Sequence, residues 1–195
     1  MFTGIVETTT EIVERRQKDD LLILKLSRPA DWPLRAGQSI AVNGACLTVV
    51  RFDDQSFEVE LMPETVAHSN LGDTSHTQVN IERAMSAQGL FEGHIVQGHV
   101  DTVATVSERT AGTDTTMLRV TYDSSFDELV VVKGSIAING VSLTVVDPQP
   151  GSLGVGLIPQ TLKVTNLSEL QVNDQVNLEF DIIGKYITKQ ARTSK

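Results

Sequence analysis

Cysteine is nearly absent from this 195-residue sequence: Cys46 stands alone and has no partner for an intrachain disulfide. That suits a reducing compartment. Long apolar runs are also missing, since a stretch such as LVVV at 129–132 is far too short to cross a bilayer. The opening MFTGIVETTTEIVE carries no basic n-region and no long apolar h-region, so no secretory signal is expected. Positive charge is in deficit, with 16 Lys and Arg against 25 Asp and Glu and a net charge of −9. A nucleic-acid backbone would be repelled overall, and the acidity reads as solubility. These absences predict a cytoplasmic protein with no nucleic-acid and no membrane partner.

Several chemical signatures are missing as well. There is no GxxxxGK[ST] phosphate loop, no GxGxxG opening a helix after a strand, and no GxSxG elbow. His94 and His99 are five apart with Glu92 and Asp101 nearby, but no Cys cluster or HExxH helix completes a set of ligands. No metal site is expected.

What the chain does contain, it contains twice. SIAVNGACLTVV at 39–50 returns as SIAINGVSLTVV at 135–146, with nine of twelve positions identical. Average usage gives a match at roughly one position in twenty. The same offset carries LMPETVAHSNLG (61–72) onto LIPQTLKVTNLS (157–168). QVNIE (78–82) recurs as QVNLE (175–179), and GIVETTTEIVE (4–14) meets GHVDTVATVSE (98–108). Two tandem copies of one unit follow, each large enough for its own core.

Within each copy, β-branched and alternating segments are separated by Asn-Gly, Asp-Asp and Pro-containing punctuation. Six or so short strands per copy predict an all-β architecture of antiparallel barrels or sandwiches. A small closed barrel would hold one ligand in its interior or mouth. PETVAHSNL and PQTLKVTNL predict helical turns with Pro at an early position, and residues 85–94 a connector. In DIIGKYITKQARTSK (181–195), Ile182, Ile183, Tyr186 and Ile187 share one helical face, which predicts a short amphipathic helix packed on its own domain or, as the sharper alternative, on another subunit. A frayed tail is expected from Lys189 onward. The domains are placed at 1–94, 95–183 and, for helix and tail, 184–195.

Shared positions serve the fold or a shared ligand. Asn43-Gly44 and Asn139-Gly140 are explained as tight turns, because Asn-Gly tolerates positive φ. The differences are sharper: Ile5 is matched by His99, Gly37 by Lys133 and Cys46 by Ser142. One copy is apolar or inert where the other carries an imidazole, an ammonium and a hydroxyl, which predicts a functional asymmetry.

Taken in order, MFTGIVE, GQSIAVNGACLTVV, LMPET, NIERAM, GHIVQGHVD, KGSIAINGVSLTVV and LIPQTL resemble the riboflavin synthase family, of the trimeric α-chain type, over essentially the whole chain. The resemblance implies two tandem six-stranded Greek-key barrels and a C-terminal α-helix. It implies dismutation of two 6,7-dimethyl-8-ribityllumazine molecules, a four-carbon unit passing between them to give riboflavin and 5-amino-6-(D-ribitylamino)uracil. No metal or redox cofactor is implied. The implied assembly is a homotrimer joined through the C-terminal helix, with each reaction site shared between subunits and holding two lumazines.

Carried over by position, the first barrel's pocket takes Gly4, Ile5 and Val6 from the first strand, then Ser39, Cys46, Leu47, Thr48, Met62, Pro63, Glu64 and Thr65. The second takes Gly98, His99, Val100, Ser142, Leu143, Thr144, Leu157, Ile158, Pro159, Gln160 and Thr161, and Lys133 reaches a neighbouring subunit's ligand. The implied catalytic group comprises His99, Ser142, Thr144, Cys46 and Ser39. Three positions depart from the family's pattern: Gln160 stands where Glu is common, Glu92 where a small residue is usual, and Gly184 interrupts the helix.

Two other readings compete. A non-catalytic lumazine- or flavin-binding antenna protein would show degraded pocket residues in one half, whereas both halves here keep polar ones. A flavin-binding barrel of an oxidoreductase would need a nicotinamide-binding domain, for which the chain has no room.

Overall fold

The computed structural model describes residues 1–193. The first copy forms β1 (Thr8–Lys18), β2 (Leu21–Ser27), β3 (Ser39–Val42), β4 (Ala45–Phe52), β5 (Ser56–Leu61), α1 (Pro63–His68) and β6 (Gln78–Arg83). The second repeats it with β7 (Thr102–Ala111), β8 (Thr116–Thr121), β9 (Ser135–Ile138), β10 (Val141–Gln149), β11 (Ser152–Leu157), α2 (Pro159–Val164) and β12 (Gln175–Phe180), and α3 (Ile182–Thr193) follows. Each copy closes into an antiparallel barrel, in the orders β1-β2-β5-β4-β3-β6 and β7-β8-β11-β10-β9-β12. Closure leaves no unpaired sheet edge. The two-barrel fold and its terminal helix are those the resemblance implied.

Strand alternation decides what each wall faces. Along β4, Ala45, Leu47 and Val49 are buried while Cys46, Thr48 and Val50 point outward, and β10 repeats this with Val141, Leu143 and Val145 inside. Leu24, Leu26, Ile40, Phe57, Val59 and Leu61 fill the first interior, and Ile138, Leu153, Val155, Leu157 and Leu178 the second. Neither barrel is hollow. Side chains occupy both interiors, so of the expected interior or mouth only the mouth is left open.

The two barrels are locked together at their Asn-Gly turns. Asn43 and Asn139 (φ 43° and 46°) and the glycines after them (80° and 79°) adopt the left-handed conformation. The turns meet so closely that a Cβ on Gly44 would lie 2.7 Å from the Gly140 nitrogen, and one on Gly140 equally close to that of Gly44. Around this contact, six buried asparagines bond across an approximate twofold axis. Asn80 Nδ2 donates to the Asn139 carbonyl (2.9 Å), and Asn177 Nδ2 to the Asn43 carbonyl (2.8 Å). The Asn70 and Asn166 amides donate to Oδ1 of Asn177 (2.6 Å) and Asn80 (2.7 Å). The turns thus do more than reverse the chain.

Two expectations about α3 are corrected. Its apolar stripe does not pack on its own barrel: Ile183, Tyr186 and Ile187 are 53%, 69% and 63% exposed. Ion pairs of Lys185 with Asp101 (2.6 Å) and Arg192 with Glu128 (2.6 Å) hold the opposite side. The helix also continues past Lys189 to Thr193, where Thr193 Oγ1 donates to the Lys189 carbonyl (3.2 Å), instead of fraying. Residues 194–195 of the expected tail lie outside the described residues. No described helix is long and apolar enough to cross a membrane.

Gly140→Ala places a methyl group against the Gly44 backbone and holds alanine at positive φ, which alone costs about 1–2 kcal/mol. Adding the displaced backbone, a total of about 2–4 kcal/mol and a Tm fall of about 5–15 °C are expected. Thermal denaturation checks this; an unchanged Tm would show that the close turn contact is not required.

Candidate active site

Two short segments lie just before the first strand of each copy, and each turns at a glycine of positive φ. Gly4–Val6 precede β1 and Gly98–Val100 precede β7, so the expectation that they lie in the strands is corrected. Each is held by a buried glutamate of its own copy. The Thr3 amide (2.7 Å), Thr3 hydroxyl (3.0 Å) and Gly4 amide (3.1 Å) donate to Glu82 at the end of β6. The Gln97, Gly98 and His99 amides donate to Glu179 on β12 at 2.7, 2.9 and 3.1 Å. Burial pushes both carboxyls above their ordinary range, and the amide donors oppose that shift. Every one of these partners is a donor, so the cradles are built for carboxylates acting as acceptors.

Each segment then reaches the opposite barrel. The Cys46 amide of the first copy donates to the Gly98 carbonyl of the second (2.8 Å), and the Ser142 amide to the Gly4 carbonyl (2.8 Å). Glycine is required at both positions. A Cβ on Gly98 (φ 81°) would sit 2.5 Å from that of Cys46, and one on Gly4 (φ 76°) 2.7 Å from that of Ser142. Val6 is buried in the second barrel's core, and Val100 packs on the first barrel's. The expected partition of the two pockets is therefore exchanged: Gly4–Val6 belong beside Ser142, and Gly98–Val100 beside Cys46.

The result is a cavity of about 390 Å³ on the outer wall of the first barrel. Cys46 from β4, Glu64 and Thr65 from α1, and Gly98, His99 and Val100 from the crossing segment line it, with His68 and Ser69 at the end of α1. The Ser69 hydroxyl donates to the Thr65 carbonyl (2.6 Å) and so fixes the helix end beside the axis residue Asn70. His99 is exposed to this cavity while its backbone is clamped.

On the second barrel, the buried ring of His94 places Nδ1 2.7 Å from Ser142 Oγ, and its Nε2 is buried without a hydrogen-bond partner. Burial lowers the His94 pKa below 6.5, with Asp181 opposing. Ile5, Gln160 and Thr161 lie on this side with intermediate or full exposure.

Other expected site residues are placed elsewhere. Leu47, Leu143 and Leu157 face the barrel interiors. Ser39 pairs with Thr48 across β3 and β4 and lines a separate cavity of about 360 Å³ beside Gly37 and Arg83. Thr144, like Thr48, is exposed on the outer wall, and Met62, Pro63, Ile158 and Pro159 are exposed at the starts of α1 and α2. Lys133 is exposed with φ 62°, and its amide donates to the Val145 carbonyl (2.9 Å) just as Gly37 (φ 83°) donates to Val49 (2.8 Å). A lysine thus bears a left-handed backbone inherited from a glycine position, at a cost of about 1–2 kcal/mol. Among the described residues, no group of three His, Cys, Asp or Glu is arranged to hold a metal ion.

Sequence reasoning missed Glu82, Glu179 and the structural role of His94. One signal was present: both QVNIE and QVNLE end in the same glutamate, an unusual residue to repeat at the end of an otherwise apolar strand.

The Lumazine binding domain family model matches residues 3–84 and 97–181, one match per barrel. Riboflavin synthase of Actinobacillus pleuropneumoniae is 40% identical over 189 residues, covering 96% of this chain and 88% of that protein. Riboflavin synthase of Bacillus subtilis is 40% identical over 190 residues, with the same two coverages. The chain belongs to the riboflavin synthase family. That is a family of transferase enzymes. The solved structure of LumP complexed with riboflavin has the same fold, with a TM-score of 0.85, 24% identity, and coverage of 92% of this chain and 99% of that one. In this chain the exchanged segments join the copies alongside the Asn-Gly turns, and the glutamates hold those segments in place.

His94 has a folded pKa below its unfolded value, so the unfolded chain binds more protons and stability rises with pH across that window. The contribution is complete above pH 6.5 and is lost as pH falls through the depressed folded pKa. His94→Asn is expected to flatten denaturant-measured stability below pH 6.5, removing up to about 1.4 kcal/mol per pH unit. An identical slope in wild type and variant would show that His94 does not titrate as its burial demands.

Proposed function

We propose that this protein is a riboflavin synthase that dismutates two molecules of 6,7-dimethyl-8-ribityllumazine. A four-carbon unit passes from one to the other, giving riboflavin and 5-amino-6-(D-ribitylamino)uracil. The two products together contain every atom of the two reactants, so the net reaction requires no oxidant or cofactor. The observation that carries the reading is the exchanged-segment pocket, where His99 of one copy faces Cys46 and Thr65 of the other. The second copy offers a related outer wall at Ser142, with Gly4 docked on it. Two identical reactants call for two similar sites with different chemistry.

Most of the catalysis is positioning, since fixing two reactants face to face is worth about 7–11 kcal/mol. The C7 methyl group of the lumazine is acidic because the ring delocalises the anion, so a weak base suffices. His99 carries that proton from its clamped backbone. Ser142 is polarised when Nδ1 of a neutral His94 accepts its hydroxyl proton, and it orients water or substrate at the second lumazine. Thr144 and Thr48 on the outer walls bind the ring or ribityl edges, Ser39 stands across the strand pair from Thr48, and Cys46 contacts the first lumazine. Glu64 and Gln160, with the exposed helix starts Met62–Pro63 and Ile158–Pro159, border the two sites.

The exposed Ile183, Tyr186 and Ile187 face of α3 supports a homotrimer in which Lys133 reaches a neighbouring subunit's ligand. The protein works in the cytoplasm on this reading. Incubation with the lumazine and no added cofactor is expected to yield one riboflavin per two lumazines consumed; a stable complex without product would assign the chain to the non-catalytic binders. His99→Ala is expected to lower kcat at least about a hundredfold with less than about a threefold change in lumazine affinity. Wild-type turnover in this variant would remove His99 from the mechanism. Sedimentation of active enzyme is expected to show a trimer, and a strictly monomeric active protein would contradict the shared site.

A further inference from the structure

In both copies the residue after the crossing segment is acidic, and in both it is clamped by a cation. The two clamps are built differently. In the first copy the Glu7 amide donates to the Ile81 carbonyl (3.1 Å), and the Arg83 amide donates to Glu7 Oε1 (2.8 Å). The Arg83 side chain closes the clamp at 2.6 Å on Oε2, so strand β6 supplies both the amide and the cation.

In the second copy the Asp101 amide donates to the Leu178 carbonyl (2.8 Å), and the Phe180 amide donates to Asp101 Oδ2 (2.8 Å). Phe180 occupies the place of Arg83 and turns inward, stacked on Phe126 at 5.0 Å. No cation is left on the strand. Lys185, one turn into α3, fills the role at 2.6 Å from Asp101 Oδ2, with both side chains about four-fifths buried (23% and 20% exposed). The cation thus comes from the barrel wall in the first copy and from the terminal helix in the second, the copy whose crossing segment carries His99.

We propose that Lys185 is a positioning residue for His99, a latch that ties the seating of α3 to the geometry of the catalytic pocket. Asp101 is two residues from His99 and lines the same cavity. Its carboxylate is fixed on one side by the rigid end of β12 and on the other by the helix. Glu179 holds the His99 amide from the inside, and Lys185 holds the segment's exit from the outside. Without the ammonium, Asp101 keeps only a single amide donor, and the exit of the segment between Gln97 and Asp101 is held more weakly.

The inference rests on the proposed role of His99, so it is tested by one readout independent of turnover and one dependent on it. In the full chain, Lys185→Met is expected to raise amide hydrogen exchange across residues 97–100 about tenfold or more, while Lys185→Arg leaves it near the wild-type rate. Arg192→Ala, which removes the helix's other ion pair, is expected to leave it unchanged. Wild-type exchange at 97–100 in Lys185→Met overturns the latch whatever the activity proves to be. In the lumazine assay, Lys185→Met and Asp101→Asn are each expected to lower kcat about tenfold to a hundredfold with KM within about threefold of wild type. The double variant is expected to be no worse than the poorer single one. Losses that multiply, or an equal loss in Arg192→Ala, would instead mark a general weakening of the helix and overturn the assignment. Failure of the wild-type chain to form riboflavin refutes the proposed reaction and leaves the exchange test standing.

Discussion

Everything else in this molecule depends on two glycines touching across an approximate twofold axis. Gly44 and Gly140 approach so closely that neither tolerates a Cβ, and the asparagines before them join Asn70, Asn80, Asn166 and Asn177 in a buried network. A buried amide without a partner costs a few kcal/mol, so such a network stands in one arrangement or is expensive in all. The twofold relation of the barrels is therefore rigid. Its rigidity sets the distance over which Gly4 and Gly98 cross to the opposite barrel.

That crossing turns symmetry into function. Each copy contributes one outer wall and one short segment, and the segment docks on the other copy's wall. Glu82 and Glu179 hold the segments at home through backbone amides, which depends on the carboxylate and the path of the chain, not on the side chains presented. The presented side chains are free to diverge. Ile5 and His99, Cys46 and Ser142, and Gly37 and Lys133 all differ without disturbing the frame that carries them. Even a lysine at φ 62° is accommodated where its counterpart is a glycine with open space around it.

Much of the fold was legible in the sequence because its signals are local. Strand alternation, positive φ at Asn-Gly and Pro at the start of α1 and α2 each depend on a few neighbouring residues, and the internal repeat registers them twice. The site was legible as a set of residues but not as an arrangement. Position within a repeat says that Gly98 corresponds to Gly4, yet says nothing about which barrel each one touches. Leu47, Leu143 and Leu157 came with the pocket from the family resemblance; a strand turns alternate residues to opposite faces, and these three fill the cores. The apolar stripe of α3 was visible too, but periodicity reports that a stripe exists, not what covers it.

By itself, then, the sequence determined the duplication, the two barrels, the turns and the three positions where the copies part. The duplication is read from the repeat, the turns from short-range backbone preference and the strands from periodicity, which leaves barrels and sandwiches open until the family resemblance selects barrels. Only the tertiary structure decided that the asparagine turns interlock, that each crossing segment docks on the opposite barrel, that the barrel interiors are filled, and that the cation facing Asp101 comes from α3. These are contacts between residues about 50 to 130 positions apart, whose partners are chosen by the packing of two closed sheets against one axis and leave no periodic trace along the chain.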